Sequence, residues 1–551
     1  MPAMTIKQPE VQSKKYHHLI ADIEEGRLKI PKFQRDFVWT AQQTAALIDS
    51  VLKGYPIGTF ILWKTREELR HYKEIGGANL PEVPKGDVVT YVLDGQQRIT
   101  SLFATRKGLG VERDGRIVDF GSIFVDLSLD PETNAPLTTT EQHGGPLVSV
   151  KTLLDESISD LAKAHPNDLS KIDLYRGRLS GYDFSTVVIS DYPIDVACDV
   201  FTRINTGGTE LTLFEIMVAK TYDETKNFDL AERYETLVFG ENGTGKCLED
   251  AGYETIPPVT VLQCIAVAIS KEARRESILK LEKSRFIDIW STVVDGIYRA
   301  VDYFSTHLRI PVSGLLPYDS LIVPVSYFFV SNGGKEPTHD QDRLLTQYFW
   351  RTSLSGRFTS ATETKLGVDV KKMDSILDGK SPDYSDDDPI NVSVRSLKET
   401  TLSAGESFSK SILCLLAYFE PKSFRSNAKV KLDNSWLKTS ASKNFHHFFP
   451  KAFLRKQTLP NGEHWEDWYM NVLPNITLVD DYLNKREIGA KPPSQYIQNF
   501  ARVNKHFEET MRSHLVGDLS EFGILNDDYE TFLTKRAERM SAELNARIDP
   551  P

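Results

Sequence analysis

Val88-Val89-Thr90-Tyr91-Val92-Leu93, followed by Asp94-Gly95 and then Gln96-Gln97-Arg98-Ile99-Thr100-Ser101-Leu102, decides the fold of the first part of this chain. The β-branched apolar run predicts a buried strand ending at Leu93, and a helix is expected from Gln96. Backbone N–H groups at such a helix start favour an anion. Arg98 lies in the first turn, where a cation opposes the helix dipole, and a phosphate between the two would resolve that conflict. A second reading stands beside it. Asp94 is a good N-cap, and Gln97 three residues later completes a capping-box-like pattern. The residues alone leave both open.

Working outward, IGTFILW (57–63) and SIFVDLSL (122–129) read as further strands, and Thr40 to Lys53 has helical periodicity. Together they predict a compact α/β or α+β domain over 1–225. A mostly helical domain is expected over 226–377, with its clearest segment at 278–304. The Pro-, Gly-, Ser- and Asp-rich run LDGKSPDYSDDDP predicts a linker at 378–395. The remainder, 396–551, reads as helices around a basic segment and a histidine pair. The fold class is therefore mixed α/β and α.

The bulk properties narrow the function. With 40 % hydrophobic and 26 % charged residues, the chain has the composition of a globular protein. No apolar run is long enough to span a bilayer, and the first residues lack a signal core, so neither a membrane partner nor export is expected. Four scattered cysteines form no CxxC pair, which fits a reducing cytosol and argues against a zinc ribbon. A net charge of −11 excludes a protein coated with nucleic acid along its length. Yet Pro421 to Lys456 holds nine basic residues against the single acid Asp433. That local reversal of sign marks either a nucleic-acid-facing surface or an ordinary solvated segment.

Inside this basic part lies Asn444-Phe445-His446-His447-Phe448-Phe449-Pro450, two adjacent histidines in a strand-like run. Adjacent strand residues point to opposite faces, so each imidazole can take a different job. Downstream are Asn475, in LPNITLV, and Asn484, nine residues apart. Phosphodiester hydrolysis needs a base to activate water and a cation to offset developing charge. Neutral imidazole supplies the first, and imidazole plus an amide oxygen can hold a divalent ion. Lys429, Lys431, Lys443, Lys451, Lys485 and Lys491 are the candidate DNA contacts.

Three N-terminal segments, IPKFQRDFVW (30–39), LDGQQRITSLF (93–103) and FTRINTGGTELTLFEI (201–216), closely resemble the ParB-like domain of the GmrSD family of modification-dependent (type IV) restriction enzymes. The resemblance extends to WRTSLSGRFTSATET (350–364). It implies a ParB/sulfiredoxin-like α+β domain that binds and hydrolyses a nucleotide. Its candidate residues here are Gln34, Arg35, Asp94, Gly95, Gln96, Gln97, Arg98 and Asn205, with Arg98 and Arg35 on phosphates and Asp94 positioning a metal or water. The C-terminal motif resembles an HNH (His-Me finger, ββα-metal) nuclease of the subtype found as the second half of GmrSD enzymes. That implies His446 as a metal ligand, His447 as general base, Asn475 orienting the base through a loop contact and Asn484 as second ligand.

Many relatives carry an acid where His446 stands, so the metal stays open between magnesium or manganese and nickel. The stretch between His447 and Asn475 is also longer than in minimal HNH motifs. The resemblance thus implies an NTP-dependent, metal-dependent endonuclease, nicking or cutting both strands of foreign, modified phage DNA. The mark is a base modification or a phosphorothioate, the nucleotide is ATP, GTP or another NTP, and a homodimer is a candidate assembly. Two alternatives remain: a ParB-like DNA-binding regulator with an inactive HNH fold, and an abortive-infection nuclease without modification preference.

Overall fold

The computed structural model describes residues 8–550, apart from 85, 114, 131, 143, 205–210, 242–244, 404, 435–444, 460–461 and 480–482. At 113, 195, 445 and 484–486 it describes the backbone alone. The architecture is mixed α/β and falls into two compact units, Met1–Leu230 and Ala231–Pro551. The segments expected as separate domains, 226–377 and 396–551, thus lie almost wholly within one unit.

In the first unit, five strands form a sheet in the order Glu10–Lys15, Asp183–Ser190, Phe60–Thr65, Val89–Asp94, Leu28–Lys29. Asp183–Ser190 runs parallel to Phe60–Thr65, which in turn pairs antiparallel with Val89–Asp94. The helices Tyr16–Glu24, Ala41–Leu52 and Gln96–Lys107 bury Leu19, Ile23, Ile48, Leu52, Ile99 and Phe103 in one core with Phe60, Leu62 and Val92 of the sheet. Thr40 caps the second helix in a capping box with Gln43, and Thr212 does the same with Glu215 for Leu213–Thr221. Only Phe124–Asp126 of the strand expected over 122–129 forms.

The helix beginning at Gln96 is capped by neither side chain that the sequence suggested. Asp94 closes the strand, and the N-cap is Gly95 in the left-handed region at φ +95°, with no side-chain cap. A Cβ at Gly95 would stand 2.4 Å from Phe60 Cδ1, so the turn also needs the missing side chain.

The second unit is mostly helical. Lys283–Asp302 packs against Ile322–Ser331, and Tyr529–Ile548 packs against His339–Leu354. The stretch 380–393, within the segment expected as a linker, has no regular structure and is tied down. Asp386 and Asp387 pair with Arg357, and Asp387 also accepts from Lys372 at 2.7 Å. Arg357 also pairs with Asp369 at 2.6 Å, and the two are 1 % and 0 % exposed, so this pair at the centre of the network is interior to the unit. Charges so buried hold only when paired and hydrogen-bonded.

Candidate functional site

In the first unit, most of the polar groups that looked like ligand contacts hold the main chain. Arg98 donates to the Ile57 carbonyl at 2.7 Å, the Thr59 carbonyl at 3.2 Å and Asp94 Oδ2 at 2.8 Å. Gly58 between those carbonyls sits at φ +85°, and a Cβ there would come 2.4 Å from Arg98 Nη1. Arg98 therefore pins the 57–59 turn to the start of its own helix. Gln97 accepts from the Val38 and Trp39 N–H groups at 2.8 and 3.3 Å and donates to the Asp36 carbonyl at 2.9 Å. Its amide also donates to Gln96 Oε1 at 2.8 Å. Gln34 donates to the Val92 carbonyl, and Tyr72 donates to Gln34 O and Asp36 Oδ1.

The segment 34–39 is thus sewn onto the strand and helix by buried amides. Arg35 differs: it is exposed, and its side chain has no polar partner among the described residues. Asn205 lies outside the described residues. Loss of Arg98 should consequently cost stability rather than relieve the helix dipole. Arg98→Ala is expected to destabilise the unit by about 1–3 kcal/mol, with Arg98→Lys unable to restore the fork. Thermal melts of both variants check this, and an unchanged or raised Tm would contradict it.

In the second unit, Phe445–His447 pairs antiparallel with Ile476–Leu478, His446 opposite Thr477 and His447 opposite Ile476. Directly opposed residues share a face, so the two imidazoles project to opposite sides of the ribbon. The π-helical turn Leu483–Ile488 follows and carries Asn484, whose side chain, like that of Lys485, is outside the described set. Leu483 and Ile488 share a core with Phe448 and Val479.

His446 is buried, at 5 % exposure. His447 is half-buried, and its Nε2 meets Asn471 Oδ1 at 2.9 Å. Burial chiefly, with help from Lys451 and His446, holds its pKa down at about 4, against the pull of the Asn471 bond. The ring is therefore neutral at pH 7. The Asn475 side chain makes no hydrogen bond to His447. Its Oδ1 accepts from Phe449 N at 2.8 Å, and its Nδ2 donates to the Phe449 and Met470 carbonyls at 3.1 and 2.9 Å. It fixes the loop just beyond the histidines, while the amide at His447 is Asn471, which sequence reasoning missed.

Behind Thr477 stands His514, fully buried. Its Nε2 faces the Lys422 carbonyl at 2.7 Å, which can only accept, so Nε2 carries the proton. Nδ1 then accepts from the Thr477 hydroxyl at 2.7 Å. Burial, reinforced by the Arg536 charge, depresses the His514 pKa to about 3.

The basic segment is less exposed in charge than its sequence implied. Lys422 pairs with Glu509, Arg425 with Glu487, Lys429 with Glu420 at 2.7 Å and Arg455 with Asp467 at 3.1 Å. These four acids all come from outside the segment, which is why composition alone overstated the patch. Lys431 is exposed without an ion pair among the described residues. Lys491 donates to the Glu487 carbonyl, and Lys443 lies outside the described residues. Lys451 is half-buried, and burial followed by Arg455 lowers its pKa.

The His514 shift has a pH consequence. Its folded pKa is below the ordinary value of about 6.5, so the unfolded chain takes up the proton first as pH falls. The stability that this group contributes is complete above about pH 6.5 and is lost as the pH falls toward 3. Thermal melts at pH 7 and pH 4.5 should show a smaller acid-induced drop for His514→Asn than for the wild-type chain. An equal drop would show that His514 does not drive it.

The chain is 25 % identical over 575 aligned residues to an uncharacterized protein of Methanocaldococcus jannaschii, a match covering 95 % of this chain and 93 % of that one. Residues 16–222, which hold four of the five sheet strands together with the Asp94–Arg98 turn, match the family model described as GmrSD restriction endonuclease, N-terminal domain.

Proposed function

We propose that this chain is a restriction-type DNA endonuclease in which the first unit handles a nucleotide and the second cuts. The observation that carries the reading is His447. It is an imidazole kept neutral at physiological pH beside a second, buried histidine, on a two-stranded ribbon followed by a helical turn. That order of two strands and a helical turn supports an HNH-type site, and the match over 16–222 supports a restriction enzyme.

In this reading His447 takes a proton from water, and the resulting hydroxide attacks phosphorus. The P–O bond to the leaving oxygen breaks, and that oxygen takes a proton. Among the described residues no three His, Cys, Asp or Glu side chains converge to form a metal cage. His446, a buried imidazole, and the amide Asn484 are the residues that would hold a divalent ion. Such an ion, whether magnesium, manganese or nickel, would supply positive charge to offset the charge that develops on the phosphate. Lys431, Lys451 and Lys491 are the proposed contacts to the DNA backbone. Lys429 is paired with Glu420 and contributes less.

In the first unit, Arg35 and the first N–H groups of the helix from Gln96 are the proposed phosphate contacts; the neighbours of Arg35, Gln34 and Asp36, are held by Val92 and Gln97. Arg98 acts there by shaping the 57–59 turn. The proposed substrate is foreign duplex DNA bearing a base modification or a phosphorothioate, and the nucleotide is ATP, GTP or another NTP.

The two halves should separate by mutation. His447→Ala is expected to abolish nicking of supercoiled plasmid with manganese while leaving NTP hydrolysis intact. Arg35→Ala should do the reverse to the NTPase, lowering it severely in a normally folded protein. Nicking by purified His447→Ala at the wild-type rate would remove the base from the mechanism and favour a site elsewhere in the chain.

A further inference from the structure

We infer that Asn471 is the positioning residue of the proposed base, holding the His447 ring in the tautomer that leaves Nδ1 open; the inference rests on the nuclease reading above. Asn471 Nδ2 donates to the Leu402 carbonyl at 3.3 Å. A carbonyl oxygen only accepts, so the amide nitrogen must lie on that side and the amide oxygen must face His447. Oδ1 in turn only accepts. The nitrogen it meets at 2.9 Å, Nε2, therefore carries the ring proton. A neutral imidazole has a single N–H, so Nδ1 is left with its lone pair, as a base requires.

The main chain fixes where Asn471 and the Leu402 carbonyl stand. Leu402 N donates to the Asn471 carbonyl at 2.9 Å, and Leu473 N donates to the Thr400 carbonyl at 2.9 Å. Thr401 bridges Val472 between them. The short turn Tyr469–Asn471 is thus clamped to 400–402, with Asn471 N on the Trp468 carbonyl at 2.9 Å. The long stretch between His447 and Asn475, which exceeds a minimal motif of this kind, is what delivers Asn471 to the ring. Fixing the partner nitrogen of a functional histidine in this way sets both its tautomer and its direction.

Two near-isosteric variants separate positioning from mere packing. Asn471→Asp keeps an acceptor for Nε2–H but cannot donate to Leu402. Asn471→Leu keeps neither bond. Positioning predicts that Asn471→Leu lowers kcat for plasmid nicking by about 10–100-fold with KM near wild type, and that Asn471→Asp regains most of that loss. A purely structural role through Leu402 predicts equal loss in both. A readout independent of cutting is the ¹⁵N spectrum of the histidine-labelled full chain, with His447 assigned by comparison with His447→Gln. Wild type and Asn471→Asp should show a protonated Nε2 and a bare Nδ1, and Asn471→Leu a mixture of tautomers. If Asn471→Leu does not fold, the aspartate variant still decides, since loss of its activity or of its tautomer overturns the proposal. Wild-type turnover or unchanged ring signals in Asn471→Leu would overturn it too. Should the wild-type chain cut no DNA at all, the nuclease reading fails, and the ring signals still decide whether Asn471 sets the tautomer.

Discussion

The arrangement of the second unit depends on one buried cation. Arg536, on the helix Tyr529–Ile548, is 0 % exposed and donates to the Pro474 and Ile476 carbonyls at 2.7 and 2.6 Å and to the His514 carbonyl at 3.1 Å. Burial pushes its pKa down to about 9, so it still carries its charge at neutral pH. Taking such a charge out of water costs several kcal/mol. Among the described residues no carboxylate pairs with it, and main-chain carbonyl dipoles offset the cost instead. The strand Ile476–Leu478 cannot move away without stranding that charge. Since this strand sets the register of His446 and His447, a helix that carries no candidate residue fixes where both imidazoles stand.

The same device recurs in both units. Arg98 in the first unit spends its donors on the Ile57 and Thr59 carbonyls as well as on Asp94, and Gln97 ties up the backbone from Asp36 to Trp39. Around the histidines, acceptor-only carbonyls at Lys422 and Leu402 decide where protons sit on His514 and His447. A motif rich in Arg, Gln and Asn can look like a ligand cradle while much of it is main-chain stitching. Among the described candidate residues, Arg35 on the surface of the first unit takes no part in this stitching.

This explains how far the sequence could be read. The strand ending at Leu93 or Asp94 and the helix from Gln96 followed from local periodicity, as did the capping box at Thr212, because each is settled by neighbours within a few residues. The cap at Gly95 was less legible. Asp94 is a good N-cap by type, but Arg98, one turn on, competes for it and wins. The pair His446–His447 and Asn475 were visible as a motif. Asn471 was not, because its value comes from Leu402, far away in the chain. The charge of the basic segment misled for the same reason, since Glu487 and Glu509, which neutralise part of it, lie far downstream.

In the proposed function, a nucleotide-handling unit and a cutting unit act together in one chain on marked DNA. The most direct measurement incubates the purified protein with modified and unmodified DNA of one sequence, with and without NTP, in the presence of manganese. The account predicts that cleavage products form on the modified DNA with NTP, and that omitting NTP or the modification suppresses them. Equal cleavage in all four conditions would contradict the coupling, and no cleavage of any modified substrate would contradict the nuclease assignment itself.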